Sequence, residues 1–325
     1  MGTNPTPSMS ISDFLSRETK KILVVGTIGY DQKIYMEEIP KIGETKTGSI
    51  EINLGGKGNL EAVACARAGE DTIFLGSVGD KDHLIFQKHL EDNNVFPVFK
   101  IVKNIPSHTA SILIEKDGKN RIIIDPRASY HIDKNLIDMN ENLFEKSNII
   151  LLQLEINFET VEYIINKYKD KKLIILLPSP VKNIERLKVL IKKVDYLILN
   201  EVQLAKISGK STNSLDEIEI ACDEIKNGTK NIIVFSLEKG CFLSDENGKK
   251  TKFTPYNIGQ PKDYLGVMDC FIGVFASFFS KEGKVNEAIK YAMLASKISS
   301  TIEGAIPSYP TLDEIIKKKN NLEIW

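Results

Sequence analysis

Short apolar runs rich in β-branched residues alternate along this chain with longer amphipathic stretches. The clearest runs lie at 22–26, 72–76, 149–153, 173–177, 196–199 and 232–236. Unbroken Ile/Leu/Val runs suit strands covered on both faces, because a strand with one wet face would alternate. The stretches at 59–68, 158–169 and 215–226 instead space their apolar residues for one face of a helix. Strand and helix taking turns predicts a mostly parallel sheet between two layers of helices, an α/β/α sandwich.

Two segments leave that rhythm. Residues 33–53 read as short strands around a turn at Lys41-Ile-Gly-Glu44, and 110–125 as a hairpin turning at Lys116-Asp-Gly-Lys119. Together they predict a small β lid over one edge of the main sheet. The far end is helical again over 271–281 and 285–302, with Gly304-Ala-Ile-Pro307 as the stop and a last short helix near 312–319. No repeat or linker divides 21–320, which reads as one domain. The polar, Ser/Thr/Pro-rich residues 1–20 read as a flexible leader.

Composition narrows the function classes. In 325 residues, 43 Lys plus Arg balance 44 Asp plus Glu, which argues against a nucleic-acid or membrane partner and for a small molecule. Cys65, Cys222, Cys241 and Cys270 lack metal-site spacing and sit in or beside apolar runs, as small buried hydrophobes of a reducing compartment do. No apolar stretch reaches the length of a membrane span, and the expected location is the cytoplasm.

Three places carry candidate chemistry. Gly55-Gly-Lys-Gly58 precedes a helix, where glycines let backbone approach a ligand and the helix start favours anions. It is not a Walker A loop, which would need Gly at position 51 and Ser or Thr at 58; a tight strand-to-helix turn explains it equally well. Asp263-Tyr-Leu-Gly-Val-Met-Asp-Cys-Phe271 sets Asp269 in the first turn of an apolar helix. A carboxylate there can take a proton from a hydroxyl while neighbouring N–H groups hold a phosphoryl group, or it can simply favour the helix start. Asn200-Glu201 follows a strand, as a magnesium-associated pair or as a helix cap.

In chain order, Gly26-Thr-Ile-Gly-Tyr-Asp31, Pro40-Lys-Ile-Gly-Glu-Thr45, Gly55-Gly-Lys-Gly58, Gln153-Leu-Glu155, Asn200-Glu201, the 263–271 segment and Gly304-Ala-Ile-Pro-Ser308 resemble the motifs of the PfkB family of carbohydrate kinases, in its ribokinase-like form. The resemblance runs from about 21 to 316. It implies a ribokinase-like fold and ATP-dependent phosphorylation of a small hydroxylated substrate, a sugar or a nucleoside-like molecule. It implies that Asp31, Gly55, Gly56, Lys57 and Glu155 face the substrate. Asp269 would be the general base, with an anion hole at Gly266, Val267 and Met268. The nucleotide would meet Asn200, Ser236, Lys239 and Gly240, with magnesium reached indirectly by Glu201 and a monovalent cation as a further cofactor. A homodimer through the lid is the implied assembly.

The chain also departs from the family pattern. Met268 stands for a glycine, Leu60 and Gly29 for asparagines, Leu177 for an asparagine before Pro178-Ser-Pro180, and Gln203 for a glutamate. Ser236-Leu-Glu238 replaces the family's Leu-Gly-Ser. These changes leave two readings open. One is an active kinase with a re-specified pocket. The other is a catalytically impaired relative that binds a ligand or a protein partner.

Overall fold

A computed structural model describes residues 10–116 and 120–323 of the chain. Its strands are β1 (Lys21–Val25), β2 (Gly29–Met36), β3 (Ser49–Gly55), β4 (Asp71–Gly79), β5 (Val95–Val102), β6 (His108–Glu115), β7 (Asn120–Asp125), β8 (Ile149–Gln153), β9 (Leu173–Leu177), β10 (Tyr196–Leu199), β11 (Asn231–Ser236), β12 (Gly240–Ser244) and β13 (Lys250–Phe253). The large sheet runs β13-β12-β11-β10-β9-β8-β1-β4-β5, parallel from β5 to β11 with an antiparallel margin of β12 and β13. Its apolar runs are buried on both faces. Ile22 and Val24 of β1 enter one core with the helices 57–67, 267–282 and 285–300, while Leu23 and Val25 enter a second core on the opposite face. This is the three-layer sandwich with a mostly parallel sheet.

A smaller sheet, ordered β3-β2-β6-β7, stands beside it. Strand β2 joins the two antiparallel pairs, β2–β3 and β6–β7, by pairing parallel with β6. The turn read at 116–119 falls, from Asp117 to Lys119, outside the described residues.

Some expectations need correction. Residues 11–16, read as part of a flexible leader, form a helix capped by Ser10 that buries Phe14 against Phe96. The edge strands β5, β12 and β13 are additions. β5 carries Pro97 and is mostly half-exposed, so its pattern lacks the unbroken apolar run that marks the central strands.

Three helices frame the site: α1 (Lys57–Arg67), α2 (Glu201–Ser208) and α3 (Val267–Glu282). α1 and α3 meet closely because Gly273 lies between them; a Cβ there would come within 2.5 Å of Ala64 Cβ and 2.7 Å of the Glu61 carbonyl oxygen.

Candidate active site

Strand order reverses at β1, which has β4 on one side and β8 on the other. In open α/β sheets the crevice at the carboxyl ends of the strands beside such a switch is where ligands bind. Here the end of β1 supplies Thr27 and the end of β8 supplies Glu155. The Thr27 hydroxyl donates to Glu155 Oε2, and the Lys57 backbone N–H donates to the same oxygen at 3.1 Å. These bonds fix a carboxylate at the mouth of the crevice.

The glycines before α1 are there for space. Gly56 caps the helix with φ 91, and a Cβ on it would lie 2.8 Å from the Thr27 carbonyl oxygen. A Cβ on Gly55 would lie 2.2 Å from the Asp31 carboxyl. Asp31 is thus seated directly on bare backbone, facing the crevice from β2.

The entry to α3 is held equally firmly. Gly266 caps it with φ 71, and the Tyr309 hydroxyl donates to the Gly266 carbonyl at 2.8 Å. The Asp263 carboxylate accepts from the N–H groups of Leu265 and Gly304, both at 2.9 Å. The first-turn N–H groups of a helix have no partner within it, so this rigid turn presents donors to an anion. Met268 lies inside the helix with an ordinary negative φ, so a side chain here needs no special backbone angle.

Because the N-terminal ends of α1 and α3 meet, Lys57 Nζ stands 3.8 Å from Asp269 Oδ1. A cavity of about 470 Å³ opens above the pair. Its floor holds Asp31, Gly56, Lys57, Glu155, Gly266 and Asp269; Leu60 and Met268 flank the floor. The roof is the lid, through His108, Ala110, Ile112, Ile122 and Ile124. Of the expected residues, Gly55 lies just behind Asp31, and Val267 turns into the core. Thr27, His108 and Tyr264 were not singled out; Thr27 pairs with Glu155, His108 with Gly29 and Tyr264 with Glu238, all far along the chain, so no local pattern marks them.

Crowding of acids shifts the titrations. Burial, then the neighbouring Glu155, pushes the Asp31 carboxyl up to about 6, against the pull of Lys57. Burial pushes Asp269 up to about 6, with Lys57 opposing and Glu155 adding to the rise. Burial pulls the Lys57 ammonium down, but the acids around it, led by Asp269 and then Glu155, outweigh that and hold the charge on. Asp269 is therefore an ionised, buried acceptor at neutral pH, beside a permanent cation and a helix start.

The residues expected to meet the nucleotide form a neighbouring cluster at the ends of β10 and β11. Asn200 caps α2 in a reciprocal pair with Gln203: its side chain accepts from the Gln203 N–H, and Gln203 accepts from the Asn200 N–H, each at 2.9 Å. Lys239 donates to Glu201 at 3.3 Å and to the Thr212 carbonyl at 3.2 Å. Ser236 accepts from the Lys239 N–H at 3.2 Å. Gly240 opens β12 with φ 97, where a Cβ would meet the Phe253 carbonyl oxygen at 2.0 Å. Tyr264, which lines the cavity above Lys57 and Asp269, donates to Glu238 at 3.2 Å and so ties the two clusters together.

Comparison with known proteins matches this arrangement. The model of the pfkB family of carbohydrate kinases matches residues 19–312. The ribokinase of Dictyostelium discoideum is 28% identical, over 90% of this chain and 98% of its own. The deoxyribokinase of Salmonella typhi is 30% identical, over 90% of this chain and 96% of its own. Among solved structures, the ribokinase of Thermotoga maritima superposes with a TM-score of 0.83 at 29% identity, covering 93% of this chain and all of that one. The ribokinase of Arabidopsis thaliana, solved with ribose and ATP, superposes with a TM-score of 0.82 at 25% identity, covering 92% of this chain and 98% of that one. The chain belongs to the pfkB family of carbohydrate kinases, in its ribokinase-like branch.

Proposed function

We propose that this kinase moves the terminal phosphoryl group of ATP onto a hydroxyl of a pentose-sized polyol, with a deoxypentose ahead of ribose. The observation that carries the reading is the Lys57–Asp269 pair, 3.8 Å apart at the joined starts of two helices beneath an enclosing cavity. Asp269 takes the proton of the attacking hydroxyl. The new oxygen–phosphorus bond forms as the bond to ADP breaks. The N–H groups of the turn from Gly266 to Asp269 hold the travelling group in the sense of an anion hole, and Lys57 offsets its charge.

The cavity walls support the substrate class. Asp31 and Glu155 offer acceptors for hydroxyls on one side, and isoleucines of the lid offer an apolar roof on the other. Leu60 lines the cavity without an amide, so the pocket holds fewer hydroxyl partners than an all-polar site would. The similarity to a deoxyribokinase points the same way.

Among the described residues no three His, Cys, Asp or Glu side chains group as a metal nest. Glu201 opens α2 with Lys239 Nζ 3.3 Å from its carboxylate, and a lone acid there would suit, through a bridging water, a magnesium ion that enters on the nucleotide's phosphates and keeps most of its water. Bound there, magnesium would neutralise phosphate charge. Asn200, Ser236, Lys239 and Gly240 frame the nucleotide end. Exposed Ile50, Ile52 and Ile123 on the lid support a homodimer through that sheet. The four unpaired, buried cysteines support a cytoplasmic location.

The test is ADP release with Mg-ATP across pentoses, deoxypentoses, hexoses and nucleosides. A deoxypentose should give the highest kcat/KM. Turnover with none of them overturns the reading, and a preference for nucleosides overturns the substrate class.

A further inference from the structure

Glu61 is a fully buried acid that the reaction above does not use. It sits one helical turn after Lys57 on α1, with its own backbone packed against Gly273 of α3. Gln153, at the end of β8, donates its side-chain N–H to Glu61 Oε2. The amide is wedged in place, because a Cβ on Gly26 would lie 2.2 Å from Gln153 Oε1.

Hydrogen-bond accounting fails at this spot as long as every acid is charged. Among the described residues, the buried side-chain polar atoms without a hydrogen-bond partner include Glu61 Oε1, Gln153 Oε1 and Asp269 Oδ1. All three are oxygens. A carboxylate and an amide oxygen only accept, so the group lacks donors. One proton on Glu61 turns an unpartnered acceptor into a donor for a neighbour. The charges agree. Asp269 of α3, Glu155 after β8 and Asp31 of β2 already share Lys57, and the other titratable groups near Glu61, Cys65 and Tyr309, are themselves held neutral by burial. Burial, then the Asp269 charge, drives the Glu61 carboxyl well above the usual range against the pull of Gln153 and Lys57.

We propose that Glu61 is a positioning residue that keeps its proton while Asp269 works, donating it to an unpartnered oxygen beside it. The base then has a neutral neighbour in place of a second negative charge. The inference rests on Asp269 being the base, and its test separates the two.

The direct measurement is infrared difference spectroscopy of the full-length protein at pH 8, wild type minus Glu61→Gln. Asp31 and Asp269 are pushed only to about 6 and are ionised there. A protonated-carboxyl C=O band that vanishes in Glu61→Gln is the expected result; its absence from the wild type overturns the proposal. In kinetics, Glu61→Gln keeps a donor without a charge, so the acid limb of the kcat/KM profile should stay in place. A shift of that limb to lower pH by about a unit would mean that a charged Glu61 had been raising Asp269, and would overturn the proposal. Glu61→Met removes the donor and should lower kcat about tenfold or more with KM little changed. If it instead lowers only the melting temperature, Glu61 is structural and the positioning role falls. Asp269→Asn retaining turnover would refute the base while leaving the infrared result to decide Glu61.

Discussion

Replacing Asp269 by Asn should abolish turnover and at the same time stabilise the fold. The carboxyl lies 3% exposed, and its titration is raised from 3.8 to about 6. A rise of about two units corresponds to ~3 kcal/mol between the neutral and the charged native forms. The sign follows from linkage. A carboxyl whose folded value lies above its unfolded value supports the fold fully below the unfolded value and loses that support as pH rises through the folded one. Asn imitates the protonated form at every pH. Asp269→Asn should therefore exceed the wild type by roughly 1–3 kcal/mol at pH 8, the lower end allowing for the Lys57 charge left without its partner. At pH 5 the wild-type carboxyl is mostly protonated in the native state, so about half of that gap should be gone. Urea unfolding at both pH values measures the difference, and a coupled ADP assay should show kcat down about a hundredfold to ten-thousandfold. A variant that is less stable at pH 8, or a gap that does not widen between pH 5 and pH 8, would refute the burial argument. Retained turnover would refute the assignment of the base.

Three further outcomes follow from the same geometry. Gly55→Ala places a Cβ 2.2 Å from the Asp31 carboxyl, so Asp31 must move; substrate KM should rise about tenfold and stability fall by about 1–3 kcal/mol, and unchanged calorimetric substrate affinity would show that Asp31 does not touch substrate. Met268→Ala should leave the Lys57–Asp269 pair intact and raise the kcat/KM of bulkier alcohols about tenfold relative to small ones; an unmoved ratio would show that Met268 is not a wall of the pocket. The kcat/KM profile should climb through about pH 6, where Asp31 and Asp269 ionise, and show no fall from Lys57 up to at least pH 9, because its ammonium is held on by the surrounding acids; an acid limb near 4 would contradict the crowding of these carboxyls.

What could be read along the chain was whatever repeats locally. The central strands announce themselves because both faces are covered, so β8 and β9 are unbroken apolar runs; β5 and β13, with one side open, are not. The place of Asp269 in a first helical turn was legible because a helix start follows directly from Gly266. The contacts that seat the site are not local: Thr27 reaches Glu155 across 128 positions, and Gln153 reaches Glu61 across 92. The departures from the family pattern divide on the same physical line. Gly29 reads as a lost amide, yet a Cβ there would lie 2.0 Å from the His108 carbonyl oxygen, so the neighbouring lid strand, not the ligand, forbids a side chain. Gln203 reads as a lost carboxylate, yet it closes the cap of α2. Met268 reads as a broken anion hole, yet its backbone is ordinary helix. Only Leu60 and the Met268 side chain alter the cavity itself, and both flank Asp269 without separating it from Lys57. The changes thus fall on the shape of the pocket and spare the charges that move the proton, which favours a kinase re-fitted to another alcohol over one that has lost its chemistry.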